Sequence, residues 1–166
     1  YIDHIRQAKE ALSIPVIGSL NGVSTGGWTE YAAKIEEAGA DALELNIYYL
    51  PTDPRLSGEA VEAVYTNIVT EVKSHVKIPL AVKIGPFFSS LANFAKKLED
   101  AGADGLALFN RFYQPLINPE ELTIDAHLSL STPPEILLPL RWIAILRGNT
   151  EMTLSATSGV HVASDA

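Results

Sequence analysis

The chain has 166 residues, 47% of them hydrophobic and 19% charged, with a formal net charge of −8 and no cysteine. That composition belongs to an ordinary globular chain with enough apolar content for a core, and one domain over residues 1–166 is the natural reading. The negative charge disfavours nucleic acid, which is bound largely through Lys and Arg, and the lack of cysteine excludes a disulfide framework, a thiolate metal site and a thiol nucleophile while fitting a reducing, cytoplasmic setting.

Along the chain no apolar run approaches the roughly 20 residues needed to cross a bilayer, so no membrane partner is expected. Ile2, Ile5, Ala8 and Leu12 share one helical face with no capping residue before them, as if the chain entered a helix midway. Ile14 to Leu20 is a short apolar run set among turn formers and is expected to be a buried strand. A helix from about Thr29 to Ala38 follows, with Thr29 or Ser24 as its cap and Gly39 as its stop. Ala42 to Ile47 reads as the second strand, Gly58 to Val76 as a long helix capped by Ser57, and Leu80 to Ile84 as the third strand. Leu91 to Ala101 is the next helix, ended by Gly102, and Gly105 to Phe109 the fourth strand. Residues 110–134, about 25 positions, are too long for a plain connection. LTID and HLSLS within them are expected to form a small hairpin, and long insertions after a strand usually cover or serve a site. Glu135 to Arg147 reads as a helix entered through Pro133 and Pro134 and stopped by Gly148. Met152 to Ala156 makes a fifth strand, and Ser164 and Asp165 look like the start of another helix that the sequence does not continue.

KIEEAGADALEL, from Lys34 to Leu45, returns as KLEDAGADGLAL, from Lys97 to Leu108. Helices alternating with short, nearly continuous apolar strands imply a parallel sheet covered by helices. Repetition of the unit favours a closed cylinder over an open sheet, so the expected fold is α/β, a partial (β/α)₈ barrel with an insertion at 110–134.

In such a barrel the working residues stand at the carboxyl ends of the strands. Here those ends carry Ser19 and Asn21, then Asn46, then Lys83, then Asn110 and Arg111, and finally Thr157, Ser158 and Gly159. The set suits a flavin, because a lysine can stabilise the negative charge of the reduced ring while asparagine amides donate and accept at its edge. Lys83, flanked by Val82 and Ile84 in a buried strand, is expected to point into the barrel mouth rather than to snorkel to solvent. Asn46 and Asn110 close the two copies of the repeat at matching places, although either alone is as readily a turn former. Thr157, Ser158 and Gly159 form either a phosphate pocket leading into a helix or an ordinary turn. Phe87, Phe88, Phe112 and Tyr113 either wall a ring-shaped ligand or pack beneath the insertion. His4, His75, His127 and His161 lack ligand spacing, so no metal is expected, and Glu120, Glu121 and Asp125 read as a solvated face.

ELNI, AVKIGP and ALFN, in that order and separated by the AGAD repeats, resemble the dihydroorotate dehydrogenase family over essentially the whole chain. On that resemblance the five strands correspond to barrel strands three to seven, with one, two and eight outside the sequence. It implies FMN as cofactor and a small-molecule substrate, dihydroorotate, oxidised to orotate in pyrimidine biosynthesis by hydride transfer to the flavin. It makes Asn46 and Asn110 flavin and substrate contacts, Lys83 the lysine at the flavin edge, Ser158 and Gly159 part of the phosphate site, and Ser19 and Asn21 looser flavin matches. The family reads NxSCPN or NxSSPN after its fourth strand, with Cys or Ser as base, whereas NIYYLPTDP puts Tyr49 in that position. A phenol free in water titrates near about pH 10, so a base role there needs substantial help. LSTPPE likewise replaces a glycine-rich stretch, so the resemblance is to a divergent branch. Two other readings stand beside it: a barrel lyase or isomerase using Lys83 as Schiff-base or general-base residue on a phosphorylated substrate, and a catalytically silent flavin-binding or structural barrel. Homo-oligomerisation of the whole protein is left open.

Overall fold

Short apolar strands alternate with helices throughout the computed structural model, which describes residues 1–22, 25–111, 115–125 and 129–166. In chain order the elements are α1 (Ile2–Ala11), β1 (Ile17–Gly22), α2 (Thr25–Glu37), β2 (Ala42–Ile47), α3 (Gly58–Lys73), β3 (Leu80–Ile84), α4 (Leu91–Asp100) and β4 (Gly105–Leu108). A hairpin of β5 (Leu116–Asn118) and β6 (Thr123–Asp125) follows, then a 3₁₀ turn at Pro133–Ile136, α5 (Leu137–Leu146), β7 (Thr153–Ala156) and a last 3₁₀ turn at Ala163–Asp165. Among the described residues no helix is long and apolar enough to cross a membrane.

The main sheet is parallel and its spatial order is β1-β2-β3-β4-β7. Each strand lies beside its predecessor in the sheet, with no reversal of direction across it. A doubly wound sheet would show such a reversal at its switch point, whereas a (β/α)₈ barrel winds one way. The chain is therefore an arc of that barrel.

Alternation along the strands sorts their side chains into two faces. Leu43, Leu45 and Ile47 of β2, Leu80, Val82 and Ile84 of β3, and Leu106 and Leu108 of β4 are buried on the side covered by helices. They pack in one core with Tyr65, Ile68, Val69 and Val72 of α3 and Leu91, Phe94, Ala95 and Leu98 of α4. Each large side chain so buried contributes about 1.5–3 kcal/mol. The other face of the arc, which would line the interior of the cylinder, holds the alternate residues, a mixture of polar and small side chains.

The AGAD repeat is a structural clamp, used twice. Gly39 and Gly102 end their helices at φ +93° and +106°, the left-handed conformation that only glycine adopts cheaply. The aspartate two residues on then reaches the root of the preceding strand. Asp41 accepts from Val16 N at 2.6 Å and pairs with Lys9 at 2.7 Å; Asp104 accepts from Leu80 N at 2.8 Å and pairs with Lys73 at 2.5 Å. Burial works to raise the Asp104 carboxyl, but the Lys73 ammonium and the Leu80 N–H outweigh it and hold the group below its ordinary value. The Lys9 ammonium and Val16 N–H lower Asp41 in the same sense. Because both groups are depressed by folding, their contribution is present above the unfolded aspartate value near about 4 and is lost as pH falls through the folded values. The urea midpoint should therefore drop between about pH 7 and about pH 2, and drop less in a variant carrying Asp41→Asn and Asp104→Asn. Identical pH dependence in the two proteins would remove the clamp.

Several boundaries differ from expectation. The first strand is Ile17–Gly22 rather than 14–20, with Ile17 59% exposed in the described residues. Among the described residues no strand pairs with its outer side, where the Tyr1 hydroxyl takes the Ser19 N–H and donates to the Ser19 carbonyl. Pro15 explains the late start, since it offers no N–H to a ladder. The second helix begins at Thr25, so Thr29 lies inside it and is not a cap, while Ser24 falls outside the described residues. Ser57 does cap α3, accepting from Ala60 N at 3.1 Å, but the helix ends at Lys73. In the insertion LTID pairs with Leu116–Asn118, not with HLSLS, whose first residues lie outside the described set. The local cause is Asn118, whose Oδ1 accepts from Glu120 N and Glu121 N and closes the turn before β6.

Candidate functional site

Registration of the parallel strands lines up the interior face in rows. One row runs Asn21, Asn46, Lys83, Ala107, Ser155, and the row beneath it Ser19, Glu44, Ala81, Gly105, Thr153. Four of the residues singled out from sequence therefore lie on one surface: Ser19 and Asn21 on β1, Asn46 on β2 and Lys83 on β3. Lys83 faces the interior, opposite Val82 and Ile84, with its side chain 24% exposed. Its Nζ stands 3.8 Å from Glu44 Oε1, and the same oxygen accepts from Ser19 Oγ at 2.9 Å. Asn46 Oδ1 is buried and has no hydrogen-bond partner. A buried amide oxygen left unpaired is costly, and at a functional site it marks the place of a donor supplied from outside the chain. Ala81, Gly105 and Ala107 add nothing larger than a methyl group beside these polar atoms, which leaves room for a flat ligand.

Asn110 lies outside these two rows. The repeat sets Asn46 against Phe109 and Asn110 against Ile47, so the two asparagines are not at matching places. Asn110 is 7% exposed, and its Nδ2 donates to the carbonyls of Ile47 at 2.9 Å and Lys83 at 3.3 Å. Its backbone N–H donates to Ile84 O at 2.7 Å. The side chain thus ties the carboxyl ends of β2 and β3 to the end of β4, just above the polar row.

Tyr49 lies in a cavity of about 370 Å³ whose walls include Val61, Tyr65, Phe87, Phe88 and Asn110. Asn46 and Lys83 do not line it. Tyr49 is part-buried against the core, so the structure brings it to Asn110 rather than to the interior row. Phe88 is a packing residue, stacked on Phe94 at 4.1 Å, with Tyr65 edge-on to both rings. Burial pushes the Tyr65 phenol up. Phe87 is largely exposed at the rim shared with a second cavity, whereas Phe112 and Tyr113 lie outside the described residues.

That second cavity, about 470 Å³, is lined by Asn110, Arg111, Glu135, Arg141, Thr157 and Ser158 among others. Ser158 and Gly159 both adopt left-handed backbone, at φ +71° and +80°. A Cβ on Gly159 would lie 2.3 Å from Ile136 N, so its small size is required by packing against the entry to α5. The turn leads to three residues of 3₁₀ helix, and the His161 and Val162 N–H groups already donate to Asp165 Oδ2. The His161 and Val162 amides are thus occupied by that carboxylate.

Two residues carry more than the sequence suggested. Glu44, unremarked in ELNI, shares the interior face with Asn46 because the two are one strand period apart. Arg111 anchors both ends of the insertion: Nε and Nη2 reach Glu135 at 3.0 and 3.4 Å, Nη2 donates to Leu130 O at 2.9 Å, and Nη1 donates to Ser129 O. The guanidinium holds the Glu135 carboxyl below its usual range, with help from the Thr132 N–H.

A family model described as dihydroorotate dehydrogenase matches residues 1–124. The chain is 36% identical over 106 residues to the dihydroorotate dehydrogenase B (NAD(+)) catalytic subunit of Thermoplasma volcanium, covering 61% of this chain and 34% of that one. It is 32% identical over 109 residues to a dihydroorotate dehydrogenase A (fumarate) of Lacticaseibacillus paracasei, covering 60% and 35%. With the dihydroorotate dehydrogenase A (fumarate) of Lactobacillus delbrueckii subsp. bulgaricus the identity is 26% over 163 residues, covering 93% and 52%. The chain thus spans between about a third and about half of the length of these relatives. Among solved structures it resembles phosphonopyruvate hydrolase with a TM-score of 0.55 at 14% identity, covering 95% of this chain and 58% of that one, a likeness of fold alone.

Proposed function

The chain belongs to the dihydroorotate dehydrogenase family, and on that footing we propose that it forms the flavin-binding arc of an FMN-dependent oxidoreductase that converts dihydroorotate to orotate. The observation that carries the reading is the interior row, where the unpaired Asn46 Oδ1 and the Lys83 ammonium stand in adjacent register over small residues.

The interior row fits the ring of FMN. The oxidised ring offers one N–H, which suits the orphaned acceptor on Asn46, and its reduced form carries negative charge, which suits Lys83. FMN bound here supplies a hydride acceptor for a substrate C–H bond. Lys83 then stabilises the charge that develops, in a site whose dipoles are set before reaction. Asn46 orients the ring, and Asn110 keeps the ends of β2, β3 and β4 in fixed relation. Oxidising dihydroorotate also requires a proton to leave the neighbouring carbon. Tyr49 holds the position of the family's base, and it lines a cavity with Asn110 that Asn46 and Lys83 do not share.

The intact protein should purify yellow or take up FMN with a stoichiometry of one, and anaerobic dihydroorotate should bleach it. Yellow protein that only another hydride donor bleaches would keep the flavin and change the substrate. Colourless protein that takes up no FMN would overturn the proposal.

A further inference from the structure

Glu44 and Lys83 are the charged residues on the interior face of the five described parallel strands; their neighbours there are Ser19, Asn21, Asn46, Thr153, Ser155 and small or aliphatic side chains. Their side chains are 21% and 24% exposed, so solvent screens the pair only in part. Ser19 Oγ holds Glu44 Oε1 at 2.9 Å from the neighbouring strand, which fixes the carboxylate, and that same oxygen stands 3.8 Å from Lys83 Nζ. At that separation the two charges attract, with room left for the ammonium to hydrogen-bond another acceptor.

From this geometry we infer that Glu44 is a positioning residue that sets how much of the Lys83 charge the flavin experiences; the inference rests on the flavin reading above. An ammonium with no carboxylate beside it would stabilise the negative reduced ring to the full extent of its field. Glu44, pinned by Ser19, holds Nζ to one side and so withholds part of that field from the ring. The carboxylate therefore lowers the tendency of the flavin to be reduced, which favours passing electrons onward once they have arrived. Glu44 lies one row below Asn46 and Lys83, so it acts through the lysine and not by touching substrate.

The test is a redox titration of the FMN-loaded intact protein against reference dyes. Glu44→Gln keeps the size of the side chain and a hydrogen-bonding oxygen for Ser19 but removes the charge. It should favour the reduced flavin about tenfold, a rise of about 30 mV for a two-electron couple. In a Lys83→Met background the same exchange should produce less than half of that rise. An unchanged potential in Glu44→Gln, with FMN bound as tightly as in the wild type, would overturn the inference while leaving the flavin reading intact. Equal rises in both backgrounds would also overturn it, because Glu44 would then act directly on the ring. Failure of the wild-type protein to take up FMN would instead remove the flavin reading, and the inference with it.

Discussion

Exchange of Lys83 for Met in the FMN-loaded protein is expected to slow flavin reduction by substrate about 10²–10³-fold, the usual cost of removing one preorganised group that meets developing charge. Met retains most of the apolar stem that crosses the strand face, so the fold should survive and the loss should be electrostatic. The size follows from Coulomb's law: a unit charge about 4 Å from another is worth about 4 kcal/mol at an effective dielectric near 20, or roughly 10³ in rate if all of it is felt in the transition state. Rapid-mixing measurement of flavin bleaching, with FMN content and melting temperature recorded beside it, separates these effects. An unchanged rate at full FMN content would move the catalytic charge away from Lys83.

The sequence revealed local features and hid those that depend on register. Each helix stop assigned to glycine is a left-handed residue in the structure, at Gly39, Gly102 and Gly148, because that signal lives in one residue. Lys83 falls on the interior face as its place between Val82 and Ile84 required, since side-chain direction alternates within a strand. Its partner was not legible, because Glu44 meets Lys83 only through the pairing of β2 with β3, across the whole of α3. Asn110 shows the same limit. Its residue type suggested a ligand contact; its amide nitrogen is committed to two carbonyls contributed by other strands, which no local pattern foretold, and the residue lines both cavities. The apolar run places the start of β1 three residues early, because such a run does not mark where a ladder begins. The aspartates of the AGAD repeat carried the reverse lesson. They were read only as a mark of repetition, and each proves to tie a helix end to the root of the neighbouring strand.

Gly159→Ala should be the most destabilising of the glycine exchanges, and Gly148→Ala is the control that shows why. Both glycines are left-handed, at φ +80° and +93°, so an alanine at either pays about 1–2 kcal/mol for backbone conformation alone. At Gly148 nothing lies within 4 Å of the added Cβ, and that conformational cost should be the whole loss. At Gly159 the Cβ would stand 2.3 Å from Ile136 N and 2.9 Å from Ile136 Cα, backbone atoms that no rotamer change can move aside. Relief requires the turn after β7 to separate from the 3₁₀ entry to α5. That entry is itself held by the Thr132–Glu135 capping interaction and by Arg111. Separation would therefore loosen the cavity shared by Asn110, Arg111 and Ser158 as well as the packing of α5. Urea unfolding should show a loss for Gly159→Ala exceeding that for Gly148→Ala by about 1–3 kcal/mol, the usual cost of overpacking. Equal losses would mean that the close approach of Gly159 to Ile136 carries no energetic weight, and the glycine would then be explained by its φ alone.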